Sequence, residues 1–182
     1  MILNAFEGLA STESCIIIPA DLPLLYNVDV RNTDETNGQI YVEWSRPFSE
    51  RLDTITNPGP YVFKLFRATS LNGTNYTLVK TVTANLFSEI IDTSFLDNGL
   101  NTVNNAYNYK VAFFARTTDS LGITESASSV FLTVTPAYEA LNLSWSFNVP
   151  WVNSNYVIYR KLPSSSTFDS LTTVSTTSYK DI

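Results

Sequence analysis

Two six-residue stretches constrain this chain more than anything else in it. Ile40-Tyr41-Val42-Glu43-Trp44-Ser45 and Leu141-Asn142-Leu143-Ser144-Trp145-Ser146 alternate apolar and polar residues and end on the same Trp-Ser pair. Strict alternation means a strand with one buried face. Two further matches follow in the same order. Phe63-Lys64-Leu65-Phe66-Arg67 resembles Tyr156-Val157-Ile158-Tyr159-Arg160, and Thr93-Ser94-Phe95-Leu96-Asp97 resembles Thr177-Ser178-Tyr179-Lys180-Asp181. The two tryptophans are separated by one sandwich length, about 100 residues. Ordered matches at that spacing predict an internal repeat of one β-unit.

The rest of the chain agrees. Tyr107, Tyr109, Val111 and Phe113 alternate with Asn108, Lys110 and Ala112, which places the first set inward. Turn signals separate the strands at Asn37-Gly38, Asn57-Pro58-Gly59-Pro60, Asn72-Gly73, Asp97-Asn98-Gly99 and Leu121-Gly122. No segment carries a sustained helical stripe. The apolar fraction of 44% is enough for a packed core. The expectation is an all-β chain, built as an antiparallel β-sandwich.

The order of these marks resembles the fibronectin type III (immunoglobulin-like) fold. In that family a second-strand Trp packs between the sheets, as Trp44 and Trp145 would. An aromatic-x-aliphatic-aromatic-Arg strand follows. A Tyr at the start of the sixth strand bonds back to the chain, and Tyr107 fits, with its partner expected between Leu100 and Asn104. The resemblance implies tandem repeats. Residues 22–136 read as a complete domain, with Ser129 to Thr135 as its seventh strand. Residues 1–21 read as the last two strands of a preceding repeat, carried by Leu3 to Phe6 and Ser14 to Pro19. Residues 137–182 read as a truncated repeat lacking its last strands. Its first strand is missing or borrowed, because the Trp145 strand begins so soon after Pro136. That predicts a stiff junction, with Tyr138 placed to fill the seam.

A narrower likeness rests on Ile18-Pro19-Ala20-Asp21-Leu22-Pro23, Val42 to Pro47, Leu52-Asp53-Thr54, Asn57 to Tyr61 and Asn148-Val149-Pro150-Trp151. These resemble repeats in large Bacteroidota surface proteins that end in a gliding-motility-associated or type IX secretion sorting domain. The likeness implies an extracellular or cell-surface place. It also implies a non-catalytic role as spacer, adhesion module or scaffold for protein or glycan partners. The alternative is an accessory region of a secreted polysaccharide-degrading enzyme whose catalytic domain lies elsewhere.

Composition narrows the chemistry. There is no histidine and only one cysteine, Cys15, so the commonest general base is absent and no internal disulfide can form. Cys15 in a Cys-Ile-Ile-Ile run reads as a small buried apolar residue. A net charge of −6 argues against a phosphate-binding surface for nucleic acid. The most apolar run stops at Pro19, too short to span a bilayer. The first residues lack the basic and apolar regions of a signal peptide. No glycine-rich phosphate loop and no Arg-Gly-Asp loop occur. Asn72, Asn75 and Asn142 lie in Asn-x-Ser/Thr patterns that a Ser- and Thr-rich chain produces by accident.

No catalytic, cofactor-binding or metal residue is assigned. A glycosidase needs two carboxylates, and Asp29, Asp34, Glu35, Glu43, Asp53, Asp92 and Asp97 are available. Most of them read as solvated groups in turns or on outward strand positions. Asn32 to Gly38 gathers oxygen ligands that suit calcium, but an Asx-rich turn explains the same residues. Trp151 is the one weak candidate for ligand binding, as a platform for a sugar ring, with Tyr138, Phe147, Tyr156 and Tyr159 near it in sequence. Its alternative role is to cover a core end or the seam between units.

Overall fold

The computed structural model describes residues 22–47, 52–90 and 93–182. Cys15, the segment 1–21 and Asp92 lie outside them. The described chain is all-β and antiparallel, with a 3-10 turn at Phe87–Glu89 and no α-helix. The strands are β1 (Leu25–Asn32), β2 (Gly38–Trp44), β3 (Tyr61–Thr69), β4 (Thr77–Ala84), β5 (Ser94–Leu100), β6 (Tyr107–Ala115), β7 (Asp119–Ile123) and β8 (Ala127–Ser128). Then come β9 (Phe131–Ala137), β10 (Ala140–Ser146), β11 (Tyr156–Arg160), β12 (Asp169–Val174) and β13 (Ser178–Asp181).

β1 to β8 form two sheets. One has the order β1-β2-β5 and the other β4-β3-β6-β7, with β8 continuing along β6. Their inward residues make one core, which is the arrangement of a β-sandwich. Period-two patterning places Ile40, Val42 and Trp44 inside from one sheet, and Phe63, Leu65, Tyr109, Val111 and Phe113 from the other. Trp44 has no exposed surface and meets the Phe63 ring at 6.5 Å. Phe63 in turn stacks on Phe113 at 4.6 Å. Burial of this set is the main stabilising term of the unit, at about 1.5–3 kcal/mol for each large side chain.

The corner tyrosine lies where the alternation put it. Tyr107 is buried, and its hydroxyl accepts from the Asn101 N–H at 3.2 Å and faces the Asn101 carbonyl at 3.5 Å. Asn108 departs from the outward role that alternation assigned to it. It is buried, and its amide donates to the carbonyls of Ser70, Leu71 and Gly73. The turn after β3 folds over this face of β6, and a side-chain amide supplies the donors its backbone needs.

The C-terminal strands repeat the geometry of the first ones. β13 pairs with β10 in the register in which β5 pairs with β2, with Leu143 opposite Tyr179 as Val42 is opposite Phe95. Trp44 donates its backbone N–H to the Thr93 carbonyl at 2.9 Å, and Trp145 to the Thr177 carbonyl at 3.0 Å. The β3–β4 ladder slips between Leu65 and Phe66, and the β11–β12 ladder slips at the matching Ile158 and Tyr159. Both indole N–H groups are buried without a partner.

One strand goes elsewhere than anticipated. The sequence pattern predicts residues 129–135 as the seventh strand of the central unit. Instead β9 pairs with β10 along its whole length, from Ala137 opposite Ala140 to Phe131 opposite Ser146. The edge of β6 is taken by β7 and β8, with Thr124 clamping Val111 through both its backbone and its hydroxyl. β9 and β10 are joined by only Tyr138 and Glu139, and Glu139 adopts φ 49°. A two-residue hairpin has a low closure cost. The second unit therefore has a first strand, drawn from residues expected in its neighbour.

Candidate functional site

Three places merit description as sites. They are the Asx loop after β1, a buried charged group between the sheets, and the junction that holds Trp151.

The Asx loop satisfies itself. Asp34 Oδ1 accepts from the N–H groups of Thr36 and Asn37 and from the Thr36 hydroxyl. The Asn37 N–H, then the Thr36 N–H, hold the Asp34 carboxyl below its usual range. Thr102 closes the loop from the other side. Its hydroxyl donates to the Asn32 carbonyl at 2.9 Å and accepts from the Asp34 N–H at 3.0 Å. Gly38 is required by closeness, since a Cβ there would lie 2.3 Å from the Thr102 hydroxyl oxygen. These are the bonds of an Asx turn. Among the described residues no three Cys, Asp or Glu side chains are grouped as a metal site needs.

The carboxylates differ from one another. Asp29 pairs with exposed Arg31, and Asp53 accepts from Ile55 and Thr56 in its own turn. Glu43 accepts from Asn27 and Tyr41. Glu35 is exposed. Asp97 is the exception to the solvated reading, being only 5% exposed. Arg67 reaches both of its oxygens at 2.9 and 2.8 Å, and the Tyr109 hydroxyl donates to Oδ2 at 3.0 Å. Burial, and then the nearby Asp97 carboxylate, push the Tyr109 phenol far above its usual range. Arg67 comes from β3, Tyr109 from β6 and Asp97 from β5, so the group ties the two sheets together. Arg160 makes the matching bond to Asp181 at 2.8 Å. A bond repeated in both units, with its carboxylate fully engaged, is a structural tie.

The junction is short. Ser129 still bonds β6, donating its N–H to Tyr107 and accepting the Tyr107 N–H on its hydroxyl. β9 begins at Phe131, which leaves Val130 alone between the two sheets. The loop between β10 and β11 then folds back. Asn148 accepts from the Ser128 N–H and donates its own N–H to the Ser128 hydroxyl, both at 2.7 Å. Its amide reaches Asn72 at 2.6 Å. Val149 and Trp151 pack, half-buried, against the core of the central unit.

No protein-family model matches the chain, and no curated protein matches it.

Trp151, the one ligand-binding candidate in the sequence, thus lies against its neighbour's core rather than standing free. The aromatic residues near it in sequence do not gather around it. Tyr138 is 88% exposed at the hairpin tip and does not fill the seam anticipated for it. Tyr156 packs on Trp145 at 5.2 Å and on Phe147 at 6.0 Å, inside the second unit. Tyr159 is exposed on β11. Sequence reasoning missed Asn148, the residue that makes most of the junction's polar bonds. Its place directly before Val149-Pro150-Trp151 was the available signal.

Proposed function

We propose that the chain is a pair of fibronectin type III repeats acting as a stiff, non-catalytic spacer or display scaffold in a large cell-surface protein. The strand order β1-β2-β5 against β4-β3-β6-β7, the core Trp44 and the Tyr107 corner bond support the family reading. The repeated Trp–Thr bond, bulge and Arg–Asp pair support the reading as tandem copies. The surface location rests on the sequence resemblance alone. Partners would be proteins or glycans met by loops at the sandwich ends.

The junction carries the spacer reading. One intervening residue cannot act as a flexible coil. Asn148 and Trp151 fix the second unit on the first through bonds in three directions: to Ser128, to Asn72 and to the core. A stiff pair holds its far end at a set distance, which is what a spacer must do. The test is the angle between the units in solution, from small-angle scattering and residual dipolar couplings on the 182-residue chain. One narrow orientation is the expected result. A broad spread of angles overturns the spacer role.

A further inference from the structure

Asn-Gly pairs occur at Asn37-Gly38, Asn72-Gly73 and Asn98-Gly99. Glycine has no Cβ, so its backbone nitrogen can come close to the side chain before it. That closeness allows an internal acyl transfer, with the glycine nitrogen as nucleophile and the asparagine Cγ as electrophile.

The fold separates the three pairs. Gly38 and Gly99 lie within β2 and β5. The Asn98 amide is held at both ends, donating to the Leu96 carbonyl and accepting from Gln39, each at 2.9 Å. The Asn37 Nδ2 donates to the Thr36 hydroxyl at 3.0 Å. Asn72-Gly73 alone lies wholly between strands, after β3 and before β4. The Gly73 N–H makes a long bond to the Ser70 carbonyl, at 3.4 Å. Glycine is required there by close approach, since a Cβ would lie 2.0 Å from the Thr69 carbonyl oxygen. Asn108 holds the loop on both sides of Asn72, donating to the carbonyls of Leu71 and Gly73 at 3.3 and 3.0 Å.

The second unit supplies the remaining group. The Asn148 amide donates to Asn72 Oδ1 at 2.6 Å. Negative charge grows on that oxygen when Cγ is attacked, and a donor already in place stabilises it. Asn72 is exposed, and among the described residues nothing holds its Nδ2. The leaving nitrogen and incoming water therefore have free passage.

We propose that Asn72 is a site of spontaneous deamidation, accelerated by Asn148 across the seam between the two units. Gly73 gives its N–H proton to hydroxide, and its nitrogen bonds to Asn72 Cγ. The Cγ–Nδ2 bond breaks, and Nδ2 leaves as ammonia with a proton from water. Water then opens the cyclic imide. Opening at Cγ gives aspartate, and opening at the main-chain carbonyl gives isoaspartate. Aspartate keeps the acceptor that Asn148 uses. Isoaspartate adds a methylene to the main chain between the carbonyls that Asn108 holds, which displaces the Asn148 bond. The chemistry stands apart from the spacer reading. Its consequence, a seam that loosens as the protein ages, rests on that reading.

The test is peptide mapping by mass spectrometry of the 182-residue chain during incubation in mildly alkaline buffer, with chromatographic separation of the two products. Asn72 should convert ahead of Asn37 and Asn98 in the folded protein, and the three rates should converge in concentrated urea. No lead for Asn72, or a lead that persists in urea, overturns the proposal. Asn148→Ala should slow Asn72 roughly tenfold, less than the loss of a buried oxyanion donor because water competes here. Unchanged rates at Asn37 and Asn98 verify that the variant is folded. A rate at Asn72 that stays the same or rises overturns the part given to Asn148. The Ser128 N–H donates to the Asn148 carbonyl at 2.7 Å, so it should exchange faster in the isoaspartate form than in the aspartate form. Equal exchange overturns the loosening. A broad spread of unit angles in fresh protein defeats the spacer reading instead and leaves the chemistry in place.

Discussion

The C-terminal strands β9 to β13 pair as β1 to β5 of the central unit do, and share the Trp–Thr bond, the ladder slip and the Arg–Asp pair, yet the two regions bury different amounts. Trp44 and Trp145 are both buried, at 0% and 7% exposure. Around Trp44 the neighbouring positions are buried as well. Around Trp145 the matching Leu141 and Val134 are half open. Local sequence therefore sets strand pairing, the bulge and the Arg–Asp bond, while burial depends on whether the opposing sheet is filled. A β-unit can have its register specified without having its core completed.

The largest consequence falls on the tryptophans. Trp44→Ala should destabilise the central unit by about 3–5 kcal/mol, through lost burial and the cavity left behind. Trp145→Ala should cost clearly less, because several of its neighbours already face solvent and can settle into the space. Urea unfolding followed by amide signals from each unit measures both. Equal costs would mean that the C-terminal unit is as well packed as the central one.

The repeated ion pair sharpens the same comparison. The Arg67 side chain is 26% exposed and the Asp97 side chain 7%, against 42% and 13% for the side chains of Arg160 and Asp181. Removing Arg67 leaves a buried carboxylate with only the Tyr109 hydroxyl, so Arg67→Ala should cost about 2–3 kcal/mol. Arg160→Ala should cost less than about 1 kcal/mol, as a partly exposed pair is screened by water. If both substitutions have the same small effect, the Asp97 site is wetter than its burial implies.

These pairs also show what was legible in the sequence. Alternation gave the inward set of β2 and β6 and the place of Tyr107, because period two is a property of the strand itself. The matches of Arg67 with Arg160 and of Asp97 with Asp181 were visible, but their contact was not, since it needs β3 and β5 brought together across the core. β9 was misplaced for a related reason. An alternating strand suits the edge of either sheet, and the choice is made by β7 and β8 already lying on β6. Asn108 was read as outward because the pattern does not say that a turn folds over that face. Trp151 reads in the sequence as either a ring platform or a cover, and it packs, half-buried, against the central core.

Tyr109 gives a pH-dependent test of the central unit, since among the described residues no matching phenol reaches the Arg160–Asp181 pair. Its folded-state pKa is raised, so the folded protein holds the phenol proton more tightly than the unfolded chain. Its contribution to stability is complete below the ordinary phenol pKa near 10 and is lost as pH rises above it. Between pH 10 and 11 the central unit should lose about 1 kcal/mol through this group. Tyr109→Phe should flatten the dependence by that amount, measured as unfolding midpoints at the two pH values. An unchanged slope would mean that the ring opens to water before the unit unfolds.

The smallest effect concerns Trp151, and it decides whether the two units are separate bodies. Trp151 belongs to the loop after β10, yet the core it touches is that of the central unit. If the units were independent, Trp151→Ala would alter only the C-terminal unit, which has little of its core closed. With Trp151 and Val149 covering the end of the central core, the substitution must also expose part of that neighbour. A half-buried indole loses less than a fully buried one, so the expected cost to the central unit is about 1 kcal/mol. Asn148→Ala removes the side-chain bond to Asn72 but leaves the backbone bonds to Ser128 and the ring, so it isolates the side-chain polar part of the junction. The two substitutions share one loop, and their effects should not add, because each loosens the seat of the other. The measurement is hydrogen exchange at Tyr107 and Ser129, whose mutual bonds lie beside the junction. Faster exchange there in Trp151→Ala, with the β3–β6 amides unchanged, is the expected pattern. No change at Tyr107 and Ser129 would mean that the loop rests on the central unit without supporting it, and the stiffness of the pair would then depend on Val130 alone.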